Sequence, residues 1–254
     1  MKMRGLTILT GILTGFLSAG VMAVEAGPEM ESTTRTFSLN LDSTRVIYAP
    51  DSKGATLGIV NEHDYPILVQ SEALMEDKKS RAPFIVTPPL FRLDGKQSSR
   101  LRIVRTGGNF PSERETLQWL CVKGVPPKEG DKWAEEEGGK AGNKLSLQVQ
   151  LSINNCIKIF VRPSAVKGQP DDVAGKLEWQ RAGNKLKGTN PTPFYMNLSE
   201  LSVGGKRVDD SQYIAPFSSH EYTLPAGASG KVYWKVITDY GGTSKKFEAE
   251  LKSG

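Results

Sequence analysis

This chain has little to offer metal or nucleophile chemistry. Its 254 residues include two histidines, His63 and His220, and two cysteines, Cys121 and Cys156. None of them clusters with carboxylates at ligand spacing, which sets aside a metal centre. There is no Gly-x-Ser-x-Gly elbow and no phosphate-cradling glycine loop. With no assembled acid–base site either, neither an enzyme nor a cofactor is expected. The formal charge of +5 is spread among acids, with no Lys/Arg stripe interleaved with aromatics, so nucleic acid is excluded as a partner. Beyond residue 23 no apolar run reaches the length of a membrane span, which excludes stable membrane insertion. Long amphipathic helical patterns are missing as well.

The start of the chain carries an address. Lys2 and Arg4 precede an apolar run from Leu6 to Val21 that Gly, Thr and Ser interrupt, and Val21-Met22-Ala23 offers a small residue for cleavage. This pattern predicts a secretory signal peptide over residues 1–23, with an uncleaved anchor as the alternative. Removing Lys2 and Arg4 lowers the charge from +5 to +3. In an exported chain two cysteines invite one disulfide, the alternative being two buried thiols. If bridged, a loop of this length is worth about 4 kcal/mol in the chain-entropy picture.

The remainder reads as strands. With 26 Gly and 15 Pro, short alternating runs are separated by turn residues, the pattern of all-β sandwiches. Glu25 to Thr34 is polar and aperiodic and reads as a loose arm. Strands are expected at Phe37–Leu41, Arg45–Tyr48, Thr56–Asn61, Pro66–Glu72, Pro83–Thr87 (closed by Pro88-Pro89), Ser99–Arg105 and Thr116–Val122. Gly124 to Lys144 is a long aperiodic loop containing Glu135-Glu136-Glu137. A single overlong strand from Leu145 to about Val161 ends this half. Arg162-Pro163-Ser164 reads as a hinge, because Pro163 has no N–H to continue a ladder. The expected division is therefore 24–162 and 163–254, with about seven strands in each sandwich. In the second unit strands are expected near Lys176–Gln180, Lys185–Thr189, Phe194–Leu201, His220–Leu224, Lys231–Thr238 and Lys245–Leu251.

One segment is unusual. From Leu145 to Ile153 every odd residue is a large aliphatic (Leu145, Leu147, Val149, Leu151, Ile153) and every even residue is polar. Side chains alternate across a strand, so all five share one face. An ordinary sandwich strand would look similar. This one, however, follows a long loop, has no small residue to fit a tapering core, and lacks the charge or proline that blunts an exposed edge. It reads as a strand to be lent to another protein. Arg45 and Lys158, if they meet in a cleft, suit capture of a carboxylate: Arg offers a planar fork and Lys a point charge.

Five motifs tie these features to a known family. They are Leu41-Asp42-Ser43-Thr44-Arg45, Thr87-Pro88-Pro89-Leu90-Phe91-Arg92-Leu93, Lys158-Ile159-Phe160-Val161-Arg162-Pro163, Asn190-Pro191-Thr192-Pro193-Phe194-Tyr195 and Thr238-Asp239-Tyr240-Gly241-Gly242. With them the chain resembles the PapD-like periplasmic chaperones of the chaperone–usher pathway. The long loop and the cysteine pair resemble the long-loop (FGL) branch that serves Afa/Dr-type adhesins.

The resemblance implies two Ig-like sandwiches in an L arrangement and a periplasmic location. It implies donor-strand complementation, in which Leu145, Leu147, Val149, Leu151 and Ile153 fill the groove of a fimbrial or afimbrial adhesin subunit during pilus assembly. Arg45 and Lys158 would anchor the subunit's C-terminal carboxylate. Glu115, Arg162 and Asp239 would form a charged link between domains, Cys121 and Cys156 would be bridged, and Pro126-Pro127 would meet an outer-membrane usher. Self-association of the free protein would shield its donor strand. The alternative is a surface-exposed Ig-like fibre subunit. Such a subunit needs an alternating N-terminal extension, and Glu25 to Thr34 lacks one.

Overall fold

Alternation of buried and exposed residues shapes both halves of the molecule, and two separate apolar cores result. The computed structural model describes residues 31–128, 131, 133, 146–210 and 212–253. The expected signal peptide and Leu145 lie outside the described residues. The strands of the first unit are β1 (Glu31–Phe37), β2 (Asn40–Leu41), β3 (Arg45–Tyr48), β4 (Ala55–Val60), β5 (Ile67–Met75), β6 (Phe84–Thr87), β7 (Leu90–Leu93), β8 (Ser98–Arg105), β9 (Thr116–Val125), β10 (Ser146–Ser152) and β11 (Asn154–Val161).

One sheet runs β3-β11-β9-β5-β7 and the facing sheet runs β2-β4-β8-β6. Their inward positions, among them Leu57, Ile59, Ile67, Val69, Leu101, Ile103 and Ile159, are fully buried. Thr87–Pro89 carries the chain from the second sheet to the first. Pro88 and Pro89, expected to close a strand, instead lead directly into β7, which pairs with β5. Ser71 fastens the crossing. Its N–H donates to the Pro89 carbonyl at 2.9 Å and its hydroxyl to the Pro88 carbonyl at 3.0 Å.

The second unit contains a short helix α1 (Pro170–Val173), then β12 (Glu178–Ala182), β13 (Lys185–Asn190), β14 (Leu198–Val203), β15 (Lys206–Arg207), β16 (Ser218–Thr223), β17 (Lys231–Val236), β18 (Phe247–Glu250) and β19 (Lys252–Ser253). Two sheets, β16-β13-β12-β19 and β15-β14-β17-β18, enclose Trp179 and Trp234, whose ring centroids lie 5.5 Å apart. The fold is thus all-β, two Ig-like sandwiches joined between Val161 and Pro170. Residues 194–197, read as part of one strand, precede β14 and touch the neighbouring segment through a Met196–Ile214 bridge.

Both sandwiches use one device. Asn61 and Asn190 are fully buried just past β4 and at the end of β13. Each Nδ2 donates to the carbonyl four residues on, Tyr65 at 2.8 Å and Phe194 at 2.7 Å. Each Oδ1 accepts the N–H two residues on, His63 at 3.1 Å and Thr192 at 3.0 Å. A buried amide with its polar atoms satisfied fixes the turn at low energetic cost.

Two expectations are corrected near the chain's unusual segment. Part of the supposed loose arm is strand β1, which lies parallel to β10 over Glu31–Phe37 and Ser146–Ser152. The overlong strand is two strands, broken at Ile153. The Ile153 N–H donates to the Phe37 carbonyl at 3.0 Å, and its own carbonyl accepts the Gly124 N–H at 3.1 Å. Gly124 sits where the Phe37 backbone passes over β9, and a Cβ there would run into the Phe37 carbonyl.

Candidate functional site

Each β11 residue has a fixed direction. Ile157, Ile159 and Val161 enter the first core. The even positions face away from it, and Phe160 packs with Leu117 of β9 and Tyr195 of the second unit. Ile47, Trp119, Tyr213 and Ala215 complete this small interdomain cluster. It packs between the two sandwiches, and Lys158, one pleat along from Phe160, reaches Asn197 of the second unit.

Parallel pairing of β3 with β11 sets Arg45 directly beside Lys158. Two cations thus share one pleated surface, and no acid of either strand lies between them. The Arg45 guanidinium stands 5.9 Å from the Phe160 ring centroid and donates to the Ile237 carbonyl at 3.4 Å. Its buried Nε has no partner among the described residues. Burial lowers its pKa, partly offset by Asp239 and Glu115. The Lys158 ammonium lies 4.7 Å from the Tyr213 ring centroid and donates to Asn197 Oδ1. Burial, then the charges of Arg45 and Lys78, lower the Lys158 pKa to about 8. Two partly desolvated cations side by side are the kind of groups that attract an anion such as a carboxylate.

At the far end of β11, Arg162 joins the two units. Its Nε donates to Glu115 Oε1 at 2.7 Å. Its two terminal nitrogens grip both Asp239 oxygens at 2.6 and 2.7 Å. Burial lowers the Arg162 pKa, but the hydrogen bonds to Asp239 and the charge of Glu115 outweigh it and the net direction is upward. Glu115, with 1% of its side chain exposed, also accepts the Tyr195 N–H at 2.8 Å. Burial raises its pKa against the pull of Arg162. Gly241, at φ +82°, lies against the Thr44 side chain, so a larger residue there would be strained.

The aliphatic row is open to solvent. Leu147, Val149, Leu151 and Ile153 retain 51%, 38%, 46% and 37% of their surface. None belongs to either core. In an unbroken strand these odd residues would share the core face of Ile157 and Ile159. Ile153 falls between β10 and β11, hydrogen-bonded to Phe37 and Gly124, and the aliphatic row that ends at it stays out of both cores. Cys121 and Cys156 form a disulfide directly across β9 and β11, near the point where the long loop leaves the sandwich. Pro126 and Pro127 follow β9 and are half-buried.

Reading the residues in sequence did not single out Asn197, Tyr213, Trp119 or Lys78, all of which border the Lys158 ammonium or its aromatic wall. Trp119 and Asn197 lie within expected strands with nothing to distinguish them, and Lys78 and Tyr213 lie outside every expected strand.

Comparison with known proteins defines the class. Residues 38–167 match "Pili and flagellar-assembly chaperone, PapD N-terminal domain", and residues 172–248 match "Pili assembly chaperone PapD, C-terminal domain". The chain belongs to this family of pilus-assembly chaperones. Within the family its similarity is to the Afa/Dr type. It is 65% identical over 239 residues to chaperone protein AfaB of Escherichia coli, covering 89% of this chain and 97% of that protein. The crystal structure of the E. coli chaperone DraB is 68% identical with a TM-score of 0.78, covering 87% of this chain and all of that one. The SafB chaperone of Salmonella enterica, solved in complex with the SafA pilin, is 50% identical with a TM-score of 0.78 over 87% of this chain and all of that one.

Proposed function

We propose that this protein is a periplasmic chaperone. It captures fimbrial or afimbrial adhesin subunits by lending them β10, holds them by their C-terminal carboxylate between Arg45 and Lys158, and passes them to an outer-membrane usher. The observation that carries this reading is the pairing of an exposed aliphatic row with an adjacent two-cation cleft on the continuation of the same chain segment. Exposed apolar strand residues are a hazard unless a partner covers them. A partner adding a strand along β10 buries Leu147, Val149, Leu151 and Ile153 and gains main-chain hydrogen bonds. The row supplies affinity, and the cleft sets register, since a one-residue slip turns every aliphatic away.

A relative solved with a pilin supports the same partner class. The N-terminal leader pattern and the disulfide favour an exported, oxidising compartment. In this reading Arg162 with Glu115 and Asp239 holds the two sandwiches at the angle the cleft needs, and Pro126-Pro127 meets the usher.

Co-expression with a cognate subunit tests it. Arg45→Ala and Lys158→Ala proteins should fold normally yet fail to retain subunit on affinity purification from the periplasm. Recovery of a normal complex from either variant would reject the anchor.

A further inference from the structure

Both anchor cations are tied to the second sandwich by neutral acceptors, and the two acceptors are tied to each other. Lys158 Nζ donates to Asn197 Oδ1, and Arg45 reaches the Ile237 carbonyl. The Ile237 N–H donates to the Asn197 carbonyl at 2.8 Å. Asn197 Nδ2 donates to the Tyr195 carbonyl at 3.3 Å. Only 4% of Asn197 is exposed, so its side chain is held in place. The opposite amide orientation would set an NH2 group against the ammonium and a carbonyl oxygen against a carbonyl oxygen, so these partners fix it.

Charge explains why an amide suits this position. Arg45 on β3 and Lys78 beyond β5 repel Lys158. Tyr213 faces it with its ring, and the Tyr213 hydroxyl is committed to Glu76 at 2.7 Å. The carboxylates that act on Arg45, Glu115 and Asp239, are engaged by Arg162. Without an acceptor opposite, the ammonium has every reason to swing away from Arg45 into water. A carboxylate opposite would hold it but would also neutralise it, leaving the site closed to an incoming anion. An amide oxygen takes one of three Nζ–H donors and leaves two, together with the full charge.

We infer that Asn197 is a positioning residue of the carboxylate anchor, by which the second sandwich holds the Lys158 ammonium beside Arg45 without cancelling its charge. This inference rests on the anchor reading proposed above. It makes the cleft a site of both units, with its strength set by a residue of the second.

The probe is a short alternating Val/Thr peptide with a free C-terminal carboxylate, compared with the same peptide as its C-terminal amide, titrated into the full-length protein. Asn197→Asp should weaken the carboxylate peptide by about tenfold or more, the scale of one charge-assisted hydrogen bond, and leave the amide peptide unchanged. Asn197→Thr, a neutral acceptor, should stay within about threefold of the parent, because it holds the ammonium by the same kind of bond. Asn197→Ala and Lys158→Ala should each weaken binding, and their double variant should be no weaker than Lys158→Ala alone.

A parent-like Asn197→Asp, or losses that add in the double variant, would overturn the inference. If Asn197→Asp does not melt cooperatively, the Ala cycle decides. Failure of the underlying anchor reading looks different: the parent and Arg45→Ala would bind the carboxylate and amide peptides alike.

Discussion

Val149 offers the sharpest test of strand lending. In the free protein it keeps 38% of its surface. Complete burial of a large aliphatic contributes about 1.5–3 kcal/mol, so covering that remainder is worth on the order of 1 kcal/mol. Val149→Ala should therefore weaken a subunit complex by roughly fivefold. Val149→Asp loses the same contribution and also drives an unpaired carboxylate into an apolar groove, a further cost of several kcal/mol. Together these predict a loss of more than about a hundredfold. Stability of the free chaperone should change little, because a solvent-facing substitution outside a core is worth within about 0.5 kcal/mol. The assay pairs subunit affinity, by surface immobilisation or calorimetry, with thermal melting of the chaperone alone. A large drop in melting temperature would mean that Val149 packs inside its own domain, and undiminished affinity would mean that the row is not the contact.

Two further outcomes follow from the charges. The Lys158 pKa is about 8 in the free protein, below its ordinary 10.5. Subunit affinity should accordingly be level below pH 8 and fall as pH climbs through that value and the ammonium is lost. The same shift makes the free chaperone gain stability as pH rises from about 8 toward 10.5, where only the unfolded chain keeps the proton. Titration calorimetry and melting across that window check both signs, and a pH-independent affinity would argue against the anchor. Arg162→Leu strands Glu115 as a buried unpaired carboxylate, a loss of about 3–5 kcal/mol, and removes the clasp on Asp239. Scanning calorimetry should show a lower first transition and separate melting of the two sandwiches, whereas an unchanged single peak would remove Arg162 from the interdomain link.

Much of this was legible because strands with one wet face write their period into sequence. Leu57/Ile59 and Leu101/Ile103 alternate as cleanly in sequence as in space. What failed were places where backbone pairing overrides side-chain pattern. Glu31–Thr36 has no apolar alternation, since only Phe37 at the end of β1 enters the core, so nothing marks the earlier residues as a strand. Pro88 and Pro89 look like a stop, yet they mark a change of sheet. The break at Ile153 was missed because the odd-position aliphatic pattern resumes at Ile157 and Ile159, as it would in one continuous strand. Arg45 and Lys158 were legible as residue types suited to one anion, but their adjacency depends on β3 lying parallel to β11. Asn197 was invisible, since a polar residue between Met196 and Leu198 reads as an ordinary outward position.

The parallel ribbon of Glu31–Phe37 along Ser146–Ser152 has a directional consequence. A β-strand can be flanked on two sides only, and here one flank is already taken by the protein itself, while among the described residues no strand takes the other. If β10 is the strand that is lent, a guest's strand adds along that remaining flank, opposite the one β1 holds.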